Sequence, residues 1–89
     1  MKRCITIKLH APEAKSVHVA GDFNDWNTSS HPLSQVKTSK GKGTWKRIVY
    51  LEPGVYEYRF IVDGVWHDDP GSVARWTNEF GSFNCVIWV

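Results

Sequence analysis

The sequence predicts an all-β domain, a sandwich of antiparallel sheets. Three observations carry this expectation. Apolar and polar residues alternate with a period of two along several short stretches, as in strands with one buried face. Clusters of Gly, Pro, Asn and Asp separate these stretches at intervals of roughly eight to twelve residues. Nowhere does a helical period persist for the roughly ten residues that an amphipathic helix needs. With 89 residues in all, residues 1–89 are expected to form a single domain. A domain this short buries only roughly 60–65% of its unfolded surface, so its core must be dense. A composition that is 42% hydrophobic can supply such a core.

Residues 4–10 place Ile5, Ile7 and Leu9 on one side and Cys4, Thr6 and Lys8 on the other, a strand with one wet face. Pro12 ends it, since proline cannot continue a ladder. Residues 16–20 repeat the pattern, with Val17 and Val19 inward and His18 outward. Gly21-Asp-Phe-Asn-Asp-Trp-Asn27 then breaks the period with residues that accept turn dihedrals and bond their own backbone. Phe23 and Trp26 sit within it as anchors. Residues 28–43 are mostly polar, with Leu33 making an edge contact and residues 37–43 forming a mobile hairpin tip.

Residues 44–51 form the next strand, with Trp45, Val49 and Leu51 on one face and Ile48 and Tyr50 on the other. Both faces are partly apolar, which leaves open the question of which is buried. After the turn at Pro53-Gly54, Tyr56, Tyr58, Phe60 and Val62 face one side, the buried one, while Glu57, Arg59, Ile61 and Asp63 face the other, wet side. Asp63-Gly64 between alternating runs is a strong hairpin signal, because Gly supplies a positive φ cheaply. The return strand carries Trp66, and Asp69-Pro70-Gly71 ends it. Residues 72–81 read as a loop holding Trp76 and Phe80, with one helical turn at 72–76. Residues 83–89 are dense in apolar side chains, a final strand covered on both faces.

Charge and composition exclude several functions. The balance of 11 basic and 9 acidic residues, net +2, lacks the basic stripe of a phosphate-tracking protein, so no nucleic-acid partner is expected. No apolar run approaches the roughly 18 residues of a membrane span, and the basic start at Lys2-Arg3 is followed by alternation rather than an apolar signal. A soluble, cytoplasmic protein without a membrane partner is expected. Cys4 and Cys85 lie far apart in sequence, lack metal-site spacing, and are expected to be reduced, partly buried thiols. His10, His18, His31 and His67 form no ligand cluster, so neither metal nor cofactor is expected. Most carboxylates fall in turns, where they cap backbone N–H groups, and an 89-residue sandwich has little depth for a two-carboxylate cleft. The chain is therefore expected not to be an enzyme.

The aromatic count points the other way, toward a binding surface. Five Trp exceed what a small core needs, and Trp is rarely buried completely because it is large and carries an N–H. Trp26, Trp66 and Phe80 all fall in turns or loops. Each can plug an end of the sandwich, or all can form a platform. A sugar ring presents an apolar face of C–H bonds that a flat ring covers, leaving equatorial hydroxyls for Arg59 and Asn84. Aromatics also stack bases of single-stranded nucleic acid, but that reading wants interleaved basic residues and finds only Arg59 and Arg75.

Val17-His-Val-Ala-Gly-Asp-Phe-Asn-Asp-Trp26, Tyr56-Glu-Tyr-Arg-Phe-Ile-Val-Asp-Gly-Val-Trp66, Asp69-Pro70 and Gly81-Ser-Phe-Asn84 together resemble the glycogen- and starch-binding modules of carbohydrate-binding module family 48. That family includes the glycogen-binding domain of the AMP-activated protein kinase beta subunit and the N-terminal domains of isoamylases and branching enzymes. The resemblance implies an immunoglobulin-like sandwich that binds α-1,4-linked glucan (glycogen, starch or malto-oligosaccharides) without hydrolysing it. It implies stacking by Trp26 and Trp66, hydroxyl contacts from Arg59, a late-loop side chain reaching the glucan at Phe80, and polar contacts from Ser82 and Asn84. Two positions depart from the kinase modules. Phe80 replaces leucine and offers a third stacking surface, and Arg59 replaces lysine, keeping the charge while changing the donor geometry. The module is expected to target or regulate a glucan-metabolising enzyme or kinase acting in trans. The alternative is a docking module for such an enzyme, with little affinity for sugar.

Overall fold

Among the described residues, eight strands arise from the alternating stretches and the turns between them. They are β1 (Arg3–His10), β2 (Val17–Gly21), β3 (Ser34–Gln35), β4 (Thr44–Leu51), β5 (Val55–Val62), β6 (Val65–His67), β7 (Arg75–Thr77) and β8 (Phe83–Trp88). The computed structural model describes residues 1–37, 39–72 and 74–89. Thr38, in the expected hairpin tip, and Val73, in the expected helical turn, lie outside the described residues.

The strands form two antiparallel sheets, and the expected all-β sandwich is what they build. One sheet runs β1-β4-β3, and the other runs β2-β5-β8-β7 with β6 beside β5. β5 is the axis of the second sheet. One of its edges pairs with β2 from Val17↔Val62 to Gly21↔Tyr58. Its other edge takes β8 along Val55–Tyr58 and then β6 along Phe60–Val62. β5 thus touches three of the segments that carry the sequence's motifs.

The core lies between the sheets and centres on Phe60, which is fully buried with Val17, Val19 and Cys85 around it. β1 contributes Ile7 and Leu9, as their period predicts. The undecided faces of β4 are resolved: Trp45, Val49 and Leu51 point inward, while Ile48 and Tyr50 are exposed. The Trp45 indole N–H donates to the Ala11 carbonyl at 3.0 Å, so the largest core ring keeps its polar atom satisfied.

Four local expectations are revised. Ile61, read as outward and wet, is 6% exposed, because its cross-strand partner on the same face is Trp66. Trp76 lies in β7 rather than in a loop or helical turn, since residues 75–77 pair with β8. β8 is covered on both faces only at Cys85 and Val86, with Phe83 and Trp88 exposed. Cys4 is exposed, not partly buried, and β1 and β8 belong to different sheets, so both cysteines are free. Among the described residues no helix is long and apolar enough to cross a membrane.

Gly21 ends β2 where the chain must pass against β5. A Cβ there would lie 2.5 Å from the Glu57 carbonyl oxygen and 2.9 Å from both Phe23 and Tyr58. Backbone on β5 cannot yield without breaking its ladder. Gly21→Ala is expected to destabilise the domain by roughly 1–3 kcal/mol. Urea unfolding checks it, as a lowered midpoint with unchanged slope.

Candidate functional site

Three turns, each with left-handed backbone, carry the three aromatics singled out above. The first follows β2. There the Gly21 N–H donates to Asn24 Oδ1 at 2.9 Å. The amide nitrogen of Asn24 faces the carbonyls of Val19 (3.1 Å) and Asn27 (3.3 Å), and also His31 Nδ1 (3.2 Å). Past this hub, Asp25 and Trp26 adopt φ of 53° and 58°. The Trp26 N–H returns to the Gly21 carbonyl at 3.0 Å. Asp22 Oδ2 accepts the Glu57 N–H at 2.8 Å, which fastens the loop to β5.

The second turn joins β5 to β6. Asp63 and Gly64 both have positive φ, 50° and 82°, as the tight hairpin turn with right-handed strand twist requires. Asp63 has a second task, for its Oδ1 accepts the N–H groups of Lys15 (2.8 Å) and Ser16 (2.9 Å). The register that follows puts Trp66 opposite Ile61, on the same face as Arg59 and Glu57. The Arg59 guanidinium lies 5.7 Å from the Trp66 ring centroid, and its Nη2 is 3.1 Å from Asp68 Oδ1. That pair is within ionic range, although it lacks the alignment of a hydrogen bond. Trp26 and Trp66 face each other with centroids 6.4 Å apart and planes inclined by 53°.

The third turn joins β7 to β8. Asn78 Oδ1 accepts the N–H groups of both Phe80 and Ser82 at 3.0 Å, an arrangement that Gly81 (φ 77°) completes. Phe80 is left 85% exposed at the tip. The Asn78 amide donates to Asn84 Oδ1 at 3.2 Å, and the Asn84 amide to Glu57 Oε1 at 3.4 Å. The Phe80 loop is thereby tied to the outward face of β5.

The three turns enclose an open concavity of about 810 Å³. Trp26, Arg59, Trp66, Phe80, Ser82 and Asn84, the six residues expected from the sequence, all line it. Asp22, Glu57, Thr77, Asn78 and Glu79 line it too, and the sequence reading missed them as site residues. Glu57 was legible as an outward neighbour of Arg59 on the same strand face. Asn78 had the signal of an Asn two residues before an aromatic and a Gly. The chemistry on offer is apolar stacking on the walls and directed hydrogen bonding from the floor.

Behind Trp66 the chain is anchored to the core. The Tyr58 hydroxyl donates to Asp69 Oδ2 at 2.6 Å, and Asp69 Oδ1 accepts the Gly71 N–H at 2.8 Å. Burial, reinforced by the Asp69 carboxylate, raises the Tyr58 pKa so far that the phenol remains a donor at any ordinary pH. Asp68, beside it, is engaged by Arg59, so neither Asp68 nor Asp69 is a free metal ligand. Among the described residues no group of three His, Cys, Asp or Glu is placed to hold a metal ion.

A protein-family model described as the glycogen recognition site of AMP-activated protein kinase matches residues 5–89. Among curated relatives, the chain is 31% identical over 75 residues to 5'-AMP-activated protein kinase subunit beta-1 of Sus scrofa, covering 84% of this chain and 55% of that one. It is 32% identical over 75 residues to subunit beta-1 of Rattus norvegicus, covering 84% of this chain and 25% of the relative. The figures are the same for subunit beta-2 of Homo sapiens, 32% over 75 residues with 84% and 25% covered. The chain thus spans about half the length of the first of these relatives and a quarter of the other two.

The loop chemistry yields two expected outcomes. Asn24→Ala removes the acceptor for Gly21 and the hub of the Trp26 turn, and should cost about 1–3 kcal/mol, measured by thermal melting. His31 supplies the second. Burial first, and Arg47 second, lower its pKa from 6.5. Its neutral Nδ1 faces two donors, Ser30 Oγ at 2.8 Å and the Asn24 amide at 3.2 Å. The unfolded chain therefore takes up the proton first as pH falls. The stability this group contributes is complete above its unfolded pKa and is lost as pH drops below that value. The melting temperature should be lower near pH ~5.5 than near pH ~7.5, and His31→Asn, which keeps an acceptor without titrating, should narrow that gap.

Proposed function

The chain belongs to the family of glycogen recognition domains of AMP-activated protein kinase, and on that premise we propose that it binds α-1,4-linked glucan by aromatic stacking. It is a recognition module, not an enzyme. The observation that carries the reading is the pair of facing indoles, 6.4 Å apart and inclined by 53°, over a polar floor. Successive rings of an α-1,4-linked glucan turn relative to one another. Two platforms set at an angle suit such a chain better than they suit a flat ribbon. Trp26 and Trp66 take the apolar faces of neighbouring sugars, Phe80 closes the far side, and Arg59, Ser82 and Asn84 address hydroxyls.

The guanidinium of Arg59 is held by Asp68 and by the Trp66 ring, so it meets the ligand without first losing rotamer freedom. The site is nevertheless shallow. Dissociation constants of order ~10 µM to ~1 mM are expected once ordering costs are counted. Because the curated relatives are kinase subunits, the glucan-bound domain is assigned the task of bringing a partner enzyme, in the first place a kinase assembly, to its polysaccharide.

Trp66→Ala should abolish retention on glycogen in an affinity gel while leaving the fold intact, seen as a single cooperative melt. Undiminished retention would sink the stacking mechanism. Intrinsic tryptophan fluorescence titrated with a soluble malto-oligosaccharide gives the complementary measurement. A saturable change is expected, and a flat response into the millimolar range would favour a docking module without sugar affinity.

A further inference from the structure

A second pair of indoles stands on the same outward sheet face, just beyond the concavity. Trp76 of β7 is the direct cross-strand partner of Asn84, so its ring leaves the sheet beside the Asn84 amide. The β5–β8 register pairs Tyr58 with Cys85, and one step further sets Arg59 level with Asn84. Arg59, Asn84 and Trp76 therefore form one row across the sheet, with Trp76 about two strand spacings, ~10 Å, from Arg59. Trp88 lies on the same face, two positions beyond Val86. The Trp76 and Trp88 rings meet at 90° with centroids 6.4 Å apart, while remaining 46% and 54% exposed.

The sandwich core lies on the opposite side of this sheet, so neither indole fills it. Val86, two positions before Trp88 on this face, is 3% exposed, and covering one valine would account for only part of two large rings. Edge-to-face packing fixes both rings in place without hiding them. A half-exposed, immobilised indole costs little entropy on engaging a ligand. The occupant is set by continuity, since Thr77, which follows Trp76, and Asn84, its cross-strand partner, both line the concavity.

We propose that Trp76, braced by Trp88, is an additional sugar-stacking platform that extends the glucan footprint past Asn84 toward the β7 edge of the sheet. This rests on the glucan-binding reading above and specifies a preference for longer linear chains. A short oligosaccharide spans the Trp26–Trp66 pair and the floor. A longer one continues along the row to Trp76.

Calorimetric titration of the intact chain with maltotriose and with a long linear maltodextrin tests this. The parent should bind the maltodextrin more tightly. Trp76→Thr, which keeps a β-branched residue on the edge strand, should lose roughly tenfold in maltodextrin affinity while leaving maltotriose affinity unchanged. Trp76→Tyr should retain most of the increment, which a purely structural role for the indole would not predict. Should Trp76→Thr prove unfolded by thermal melting, the Trp76→Tyr and Trp88→Thr titrations decide, the latter expected to reduce the increment by loosening the brace. Equal maltodextrin affinity in the parent and the Trp76 variant overturns the extension and leaves the Trp66-centred site intact. Absence of binding to either sugar by the parent overturns both readings. Weaker self-association of the Trp76 variant in sedimentation, with maltodextrin affinity unchanged, would reassign the patch to contact between copies and likewise overturn the extension.

Discussion

The left-handed backbone at Asp25 and Trp26 is the constraint on which the rest of the site depends. Asp tolerates this region, but a residue as bulky as Trp at φ 58° is strained, at a cost of order ~1–3 kcal/mol. The strain persists because the surroundings over-determine it. Asn24 grips the loop from both ends, Trp26 N–H returns to Gly21, and Asp22 is fastened to β5. Relaxing the dihedral would swing the indole away from Trp66. The fold spends local stability on aiming one ring, and it recovers that stability from the dense core beneath.

That recovery is possible because β5 divides its two faces cleanly. Tyr58 and Phe60 point into the core, and Glu57 and Arg59 point out onto the floor of the concavity. The floor groups are positioned before any ligand arrives, by hydrogen bonds from Asn78 to Asn84 to Glu57 and by the ion pair of Arg59 with Asp68. A polar surface arranged in this way is preorganised, so binding need not first reorder it. The glycine at position 21 serves the same end, because it alone lets the Trp26 loop approach β5 closely.

The parts of this arrangement that follow a two-residue period were readable from the sequence. The alternation of β1, β2 and β5 was legible because one face of each alternating stretch is apolar throughout, and the Asp63-Gly64 turn because its dihedrals demand those residue types. Ile61 was misread since periodicity reports the face a residue takes, not whether a ring such as Trp66 comes to cover it. β7 was invisible as a strand. Three residues cannot display a period, and their conformation is fixed by pairing with β8 rather than by propensity. The Arg59–Asp68 and Asn84–Glu57 contacts were hidden for a related reason. Each joins residues that a turn or ladder brings together, and nothing local in sequence marks the meeting. The resemblance of the Trp26 and Trp66 motifs to a known family supplied what periodicity could not.

The electrostatics of the concavity sharpen the choice among ligands that stack on aromatic rings. Sugars and nucleobases both offer flat faces to an indole, and the facing Trp26 and Trp66 do not by themselves discriminate. The charges around them do. Asp22, Glu57 and Glu79 line the concavity against a single guanidinium, Arg59, which already sits within ionic range of Asp68. A strand carrying phosphates would bring negative charge against this lining with no free cation among the described floor residues to receive it, whereas nucleic-acid binders draw much of their affinity from such contacts. A neutral glucan would meet no such repulsion, and carboxylates can accept hydrogen bonds from sugar hydroxyls. Under the proposed glucan-binding reading, the acidic residues that look superfluous beside the aromatics would act as a filter, admitting polyols and opposing polyanions.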